Sequence, residues 1–105
     1  MSQAARISPS LTTGKTTESG VAFTGLGVMK ALLLYTDGVN DASLVVYDNT
    51  EASGKIIREV YAKGSDGRGP FGNEGAYVYC NVGCYAEVVG TGAYYFIDYY
   101  QAGRP

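Results

Sequence analysis

The chain has 105 residues, a formal net charge of −2, 46% apolar residues and 17% charged ones. That length fits one domain, and the apolar fraction is enough for a core, so disorder is expected only at the ends. The absence of His removes most routes to acid–base work near neutral pH and every Ser-His or Cys-His nucleophile pair, and the acidic balance speaks against a nucleic-acid surface.

Residues 1–20 form a distinct segment in which eight positions are Ser or Thr. Ile7 and Leu11 are its strong apolar anchors, and Arg6 and Lys15 its cations. It reads as an N-terminal arm, either loose or ordered by a partner, ahead of a domain at 21–105. No apolar stretch of about 7–15 residues follows Arg6, as a secretory leader requires. The longest apolar run, Ala31-Leu32-Leu33-Leu34-Tyr35, is far short of the ~20 residues that span a bilayer. The expectation is a soluble protein made in a cytoplasm, with no membrane partner and with Cys80 and Cys84 as thiols.

From residue 21 onward, short apolar runs are separated by Gly, Asp and Asn clusters. The runs are Val21–Thr24, Gly27–Thr36, Ala42–Tyr47, Ile56–Lys63, Ala76–Val82, Cys84–Val89 and Tyr94–Tyr100, all rich in strand formers. Short strands at roughly ten-residue spacing predict an all-β chain, a single antiparallel β-sandwich of about seven strands with an extended N-terminal arm. In the last run Tyr95, Ile97 and Tyr99 alternate with a wetter set marked by Asp98. In the fourth run neither alternate set is purely apolar, as for an edge strand or one beneath a partner. The Leu32–Leu34 run does not alternate and fits a central strand covered on both sides, or one buried by another subunit. A helix over residues 26–36 competes, but Gly25, Gly27 and Thr36-Asp37-Gly38 crowd its ends.

Each motif with chemical potential has a plainer explanation. Gly14-Lys15-Thr16 ends like a phosphate-binding loop, yet Pro9 stands where that loop needs its first Gly. The Gly-rich stretch Lys63–Gly75 is a long connection between the sheets, or a contact loop that carries Arg68 and presents Phe71 at its tip. Asp37, Asn40, Asp41, Asp48 and Asn49 could offer oxygens to calcium. If the second and third runs pair as a hairpin, however, Asp37–Asp41 and Asp48 lie at opposite ends, so they read as turn formers. Cys80 and Cys84 lack the two further ligands zinc needs, and read as adjacent strand-end thiols, with a strained bridge as the alternative. Carboxylate pairs such as Glu51/Glu59 or Glu87/Asp98 have no cleft to serve. No cofactor, metal or catalytic residue is expected. Ten tyrosines, seven of them between Tyr77 and Tyr100, supply core and rim, or a subunit interface. A sugar-stacking row built on Tyr95 and Tyr99, in a glycan-binding module, is a further alternative.

The order Leu32-Leu33-Leu34-Tyr35-Thr36-Asp37-Gly38, Ala42-Ser43-Leu44-Val45-Val46-Tyr47-Asp48-Asn49, Ala52-Ser53-Gly54 and Tyr85-Ala86-Glu87-Val88-Val89-Gly90-Thr91-Gly92-Ala93 resembles that of small β-sandwich structural proteins of tailed bacteriophages. The resemblance covers about 75 residues, and its weight lies in the order of the turn motifs. It implies a virion component without enzymatic chemistry. Foremost is a capsid cement (decoration) protein, made in the host cytoplasm, that sits on the shell as a homotrimer and bridges major capsid protein subunits. A neck, tail or fibre-associated subunit is the alternative. The arm residues Arg6, Ile7, Leu11 and Lys15 would then meet the shell, and Arg68 and Phe71 would be loop contacts. The Cys pair and the Gly-rich loop do not belong to the family pattern.

Overall fold

The computed structural model describes residues 10–73 and 77–101. Its strands are β1 (Leu11–Thr12), β2 (Gly20–Thr24), β3 (Gly27–Tyr35), β4 (Ala42–Tyr47), β5 (Ile56–Ala62), β6 (Phe71–Asn73), β7 (Val78–Cys80), β8 (Gly83–Val89) and β9 (Tyr94–Gln101), with a 3-10 turn at Gly64–Asp66. The first sheet runs β1-β9-β3-β6, with β7 also on β3, and the second runs β2-β8-β4-β5. The pairings are antiparallel. The chain is an all-β sandwich, with nine strands among the described residues instead of about seven.

The core lies where the inner faces meet. Met29, Leu32, Leu34, Tyr95 and Ile97 from the first sheet and Phe23, Leu44, Val46, Cys84 and Ala86 from the second are each at most 4% exposed. Burying an aliphatic side chain of Leu or Ile size contributes about 1.5–3 kcal/mol. The period-2 pattern explains the choice of face. β4 alternates strictly, with Ala42, Leu44 and Val46 inward, and in β9 Tyr95 and Ile97 are buried while Phe96 and Asp98 are only half-buried. β3 is a central strand between β9 and the β6/β7 pair, and no helix forms over 26–36. A bulge between Met29 and Ala31 resets its alternation, so Leu32 and Leu34 face the core and Leu33 faces out. β5 is an edge strand, with Ile56, Arg58, Glu59 and Tyr61 exposed and Ala62 buried.

Three expectations are corrected. First, β3 and β4 do not form a hairpin; they lie in different sheets, and Thr36–Asp41 carries the chain across. Buried Thr36 fixes that crossing, its hydroxyl donating to the Gly67 carbonyl at 2.7 Å and accepting from the Gly38 N–H at 3.0 Å. Second, the Gly-rich stretch does connect the sheets, from β5 to β6, but it is not one open loop. Phe71–Asn73 joins β3 opposite Leu32–Leu34, so Phe71 packs half-buried against the core and is not at a tip. Gly72 permits this approach, with φ of +133° and the Leu32 carbonyl oxygen where a Cβ would stand. Third, part of the Ser/Thr-rich segment belongs to the first sheet. β1 pairs with Asp98–Tyr99, the Thr13 N–H donates to the Ile97 carbonyl at 2.9 Å, and Thr16 and Tyr95 exchange backbone bonds of 3.0 and 2.9 Å.

Candidate functional site

The sheet edges are poorly suited to accept another strand. In the second sheet both edge strands are irregular: β2 shifts register against β8 between Val21 and Phe23, and β5 against β4 between Val46 and Tyr47. In the first sheet the edge strands have two or three residues. Bulged and short edges discourage strand addition. The extended surfaces that remain are the two outer faces.

The outer face of the first sheet is aromatic and carries two lysines. Tyr35 and Tyr94, paired across β3 and β9, stack at 4.8 Å between centroids and 6° between planes, and Phe96 meets both edge-on. The Lys15 ammonium sits 4.5 Å from the centre of the Tyr94 ring. One row further, Leu33 lies opposite Phe96. At the far end of the strands Tyr79, Val28 and Tyr100 form a cross-strand row, and the Lys30 ammonium lies 5.5 Å from the Tyr100 ring centre. Tyr79 is 78% exposed. Cation–π geometry of this kind holds an ammonium in place by the ring quadrupole and leaves its charge uncancelled. Asp98 lies in the row between the two ends, opposite Ala31 and Thr12.

The outer face of the second sheet is aromatic and acidic. Tyr47 is flanked by Ile56 and Tyr85, Val45 by Glu59 and Glu87, and Ser43 by Tyr61 and Val89. The Tyr47 hydroxyl donates to Glu87 Oε1 at 2.9 Å, which holds the phenol proton and raises its pKa. Tyr61 and Val89 are 65% and 61% exposed.

The Asp and Asn residues of the turns serve the backbone. Asp37 Oδ1 accepts the N–H groups of Asn40 and Val39 at 2.7 and 2.8 Å, which lowers its pKa. Asp41 accepts the Gly64 N–H and the Tyr61 hydroxyl and is lowered likewise. Asp48 reaches from the end of β4 to the β7–β8 turn and accepts the N–H groups of Asn81, Val82 and Gly83 at 2.9–3.3 Å. Burial raises its pKa, but those three donors and the nearby Lys55 charge outweigh it, so the net direction is down. Among the described residues no three His, Cys, Asp or Glu side chains gather as a metal site would require. Glu87 and Asp98 lie on opposite outer faces of the sandwich, and Glu51 sits in the β4–β5 turn away from the mid-strand Glu59. Cys80, in the first sheet, and Cys84, in the second, are free and buried. Their hydrogen bond, with burial, pushes the Cys84 thiol far up.

The residues singled out from sequence are dispersed. Leu11 and Lys15 lie along β9, while Arg68 and Phe71 lie beyond β3 on the other side of the first sheet. Arg68 is exposed, and its carbonyl accepts the Thr36 N–H at 2.9 Å. Arg6 and Ile7 fall outside the described residues. Tyr95 is buried, with its hydroxyl on the Glu18 carbonyl, and Tyr99 stacks on Phe23 at 4.8 Å, so this pair faces inward and cannot form a sugar platform. Lys30, Tyr47, Glu59 and Tyr85 were not singled out as surface contacts. The alternation of β8, with Tyr85, Glu87 and Val89 against Cys84, Ala86 and Val88, carried the signal for that face. Neither family models nor curated proteins nor solved structures give a match to the chain.

Proposed function

We propose that this chain is a non-enzymatic structural subunit of a tailed-phage virion, a capsid cement protein that assembles with copies of itself as a homotrimer and bridges major capsid protein subunits. The observation that carries the reading is the outward placement of large apolar and aromatic groups on both sheets: Leu33, Tyr35, Tyr79, Tyr94, Phe96 and Tyr100 on one, Ile56, Tyr61, Tyr85 and Val89 on the other. A sandwich of this size keeps much of its surface exposed, and contiguous apolar patches of that kind mark interaction surfaces. Individually weak contacts become strong when many are made at once on a repeating surface. The sequence order shared with small phage β-sandwich proteins supplies the biological setting. In this setting Arg6, Ile7 and Leu11 meet the shell, and Lys15, held over the Tyr94 ring, is left to contacts between copies.

The test uses purified shells and the full chain beside a variant lacking residues 2–9, which keeps every strand described above. The full chain should bind and raise the disruption temperature of the shell, and the truncated one should bind more weakly with an unchanged circular dichroism spectrum. Equal binding by both removes the role given to the arm. Particle imaging decides location: many copies on the shell support the cement role, and a handful at one vertex supports the neck or tail. Absence from particles overturns both.

A further inference from the structure

We infer that a second copy of this chain covers these faces head to tail: the lysine-bearing outer face of the first sheet docks on the glutamate-bearing outer face of the second sheet of the next copy. The inference rests on the reading of the chain as a self-assembling subunit, but not on where that assembly is located.

Three observations lead to it. The edges described are bulged or short, which disfavours joining copies by extending a sheet. Both outer faces are aromatic, so contact between them removes tyrosine and aliphatic surface from water on both sides. The faces also differ in charge. Among the described residues the first sheet presents Lys15 and Lys30 against Asp98, and the second presents Glu59 and Glu87. Arg58 stands opposite inward-facing Val46 at the sheet edge, its guanidinium on the Ile57 carbonyl. Two first-sheet faces brought together would set lysines against lysines, and two second-sheet faces would set glutamates against glutamates. Only the mixed pairing is complementary.

The geometry sets the strength. About four strands at ~4.8 Å spacing and ~7 residues at ~3.3 Å rise give a footprint of roughly 450 Å² per copy, near 900 Å² for the pair. That is below the roughly 1,200–2,000 Å² of stable specific interfaces and in the range of transient ones, so the contact is weak and concentration-dependent in solution. The two faces lie on opposite sides of one sandwich, so this contact repeats as an open stack, and the threefold contact of the proposed trimer is a separate one.

Sedimentation velocity of the full chain, from micromolar to millimolar at low salt and again at about 0.5 M salt, is the first measurement. Association that grows with concentration and weakens with salt is expected. The second measurement is a charge swap. Lys15→Glu with Lys30→Glu makes both faces acidic, and Glu59→Lys with Glu87→Lys makes both basic. Each double variant alone should associate at least about tenfold more weakly than the parent, and an equimolar mixture of the two should recover the association. Circular dichroism melts confirm that the variants are folded, and the salt series on the unmodified chain stands if either is not. A chain that stays monomeric throughout, or variants that associate as well alone as the parent does, overturn the contact. Neither result bears on presence in particles, which imaging decides separately.

Discussion

Replacing Asp48 should loosen the joint between the two sheets. Its carboxylate accepts three consecutive N–H groups, from Asn81, Val82 and Gly83, at the turn where the chain leaves β7 in one sheet and enters β8 in the other. The arrangement is chemically that of a helix N-cap, where loss of the acceptor costs about 0.5–2 kcal/mol. Three donors on one acceptor argue for the upper end, and partial solvation of the site argues against exceeding it. Asp48→Ala should therefore cost about 2 kcal/mol, or a melting midpoint about 10 °C lower for a domain of this size. Asp48→Asn keeps the shape and removes the charge. Because the folded-state pKa lies below the unfolded value, the charge contribution is complete above about pH 4–5 and disappears as pH falls through the folded pKa. Urea denaturation of the parent and the Asn variant from pH 6 to pH 2 should show a gap that closes toward acid. A cost below about 0.5 kcal/mol for Asp48→Ala, or a gap that does not change with pH, would refute the reasoning.

Two further outcomes follow from the core and the β6 pairing. Tyr95 is pushed up to about 12 by its burial and by the neighbouring Cys84 and Tyr85, so one tyrosine should ionise above the rest in an absorbance titration. The stability this provides is complete below about pH 10 and is lost as pH rises through the folded value, so alkaline unfolding should coincide with that last ionisation. Gly72→Ala places a Cβ against the Leu32 carbonyl at a positive φ, and should detach β6 from β3. Faster amide exchange at Leu32 and Leu34, with slow exchange kept at Val45 and Ala86 in the second sheet, checks it.

The legible parts of the fold were those where side-chain period alone decides the outcome. β4 and β9 announce their inner faces by alternation, and the mixed faces of β5 announce an edge. Partnering was not legible. Thr36-Asp37-Gly38-Val39-Asn40-Asp41 has the residues of a tight hairpin turn, and the same Asp-to-backbone bonds serve equally well in a crossing between sheets. β6 was hidden because Phe71-Gly72-Asn73 pairs through the lack of a side chain at Gly72, which no hydrophobic pattern records. β1 was hidden because its Ser/Thr-rich segment is held by backbone bonds to β9. The aromatic character of the candidate surface was visible in the tyrosine count, but which tyrosines point outward was not: Tyr95 and Tyr99 turn in, while Tyr94 and Tyr100, their chain neighbours, turn out.

The strand order also has a consequence for biosynthesis. Among these pairings only β4 with β5 joins neighbours in the chain; β2 waits for β8, and β1 and β3 wait for β9. Ribosomes add roughly 5–20 residues each second, so the early strands emerge several seconds before their mates exist. Closure must therefore wait until β9 has been made, in a slow step typical of topologies dominated by distant partners, and until then the Leu32–Leu34 run is a natural target for a chaperone.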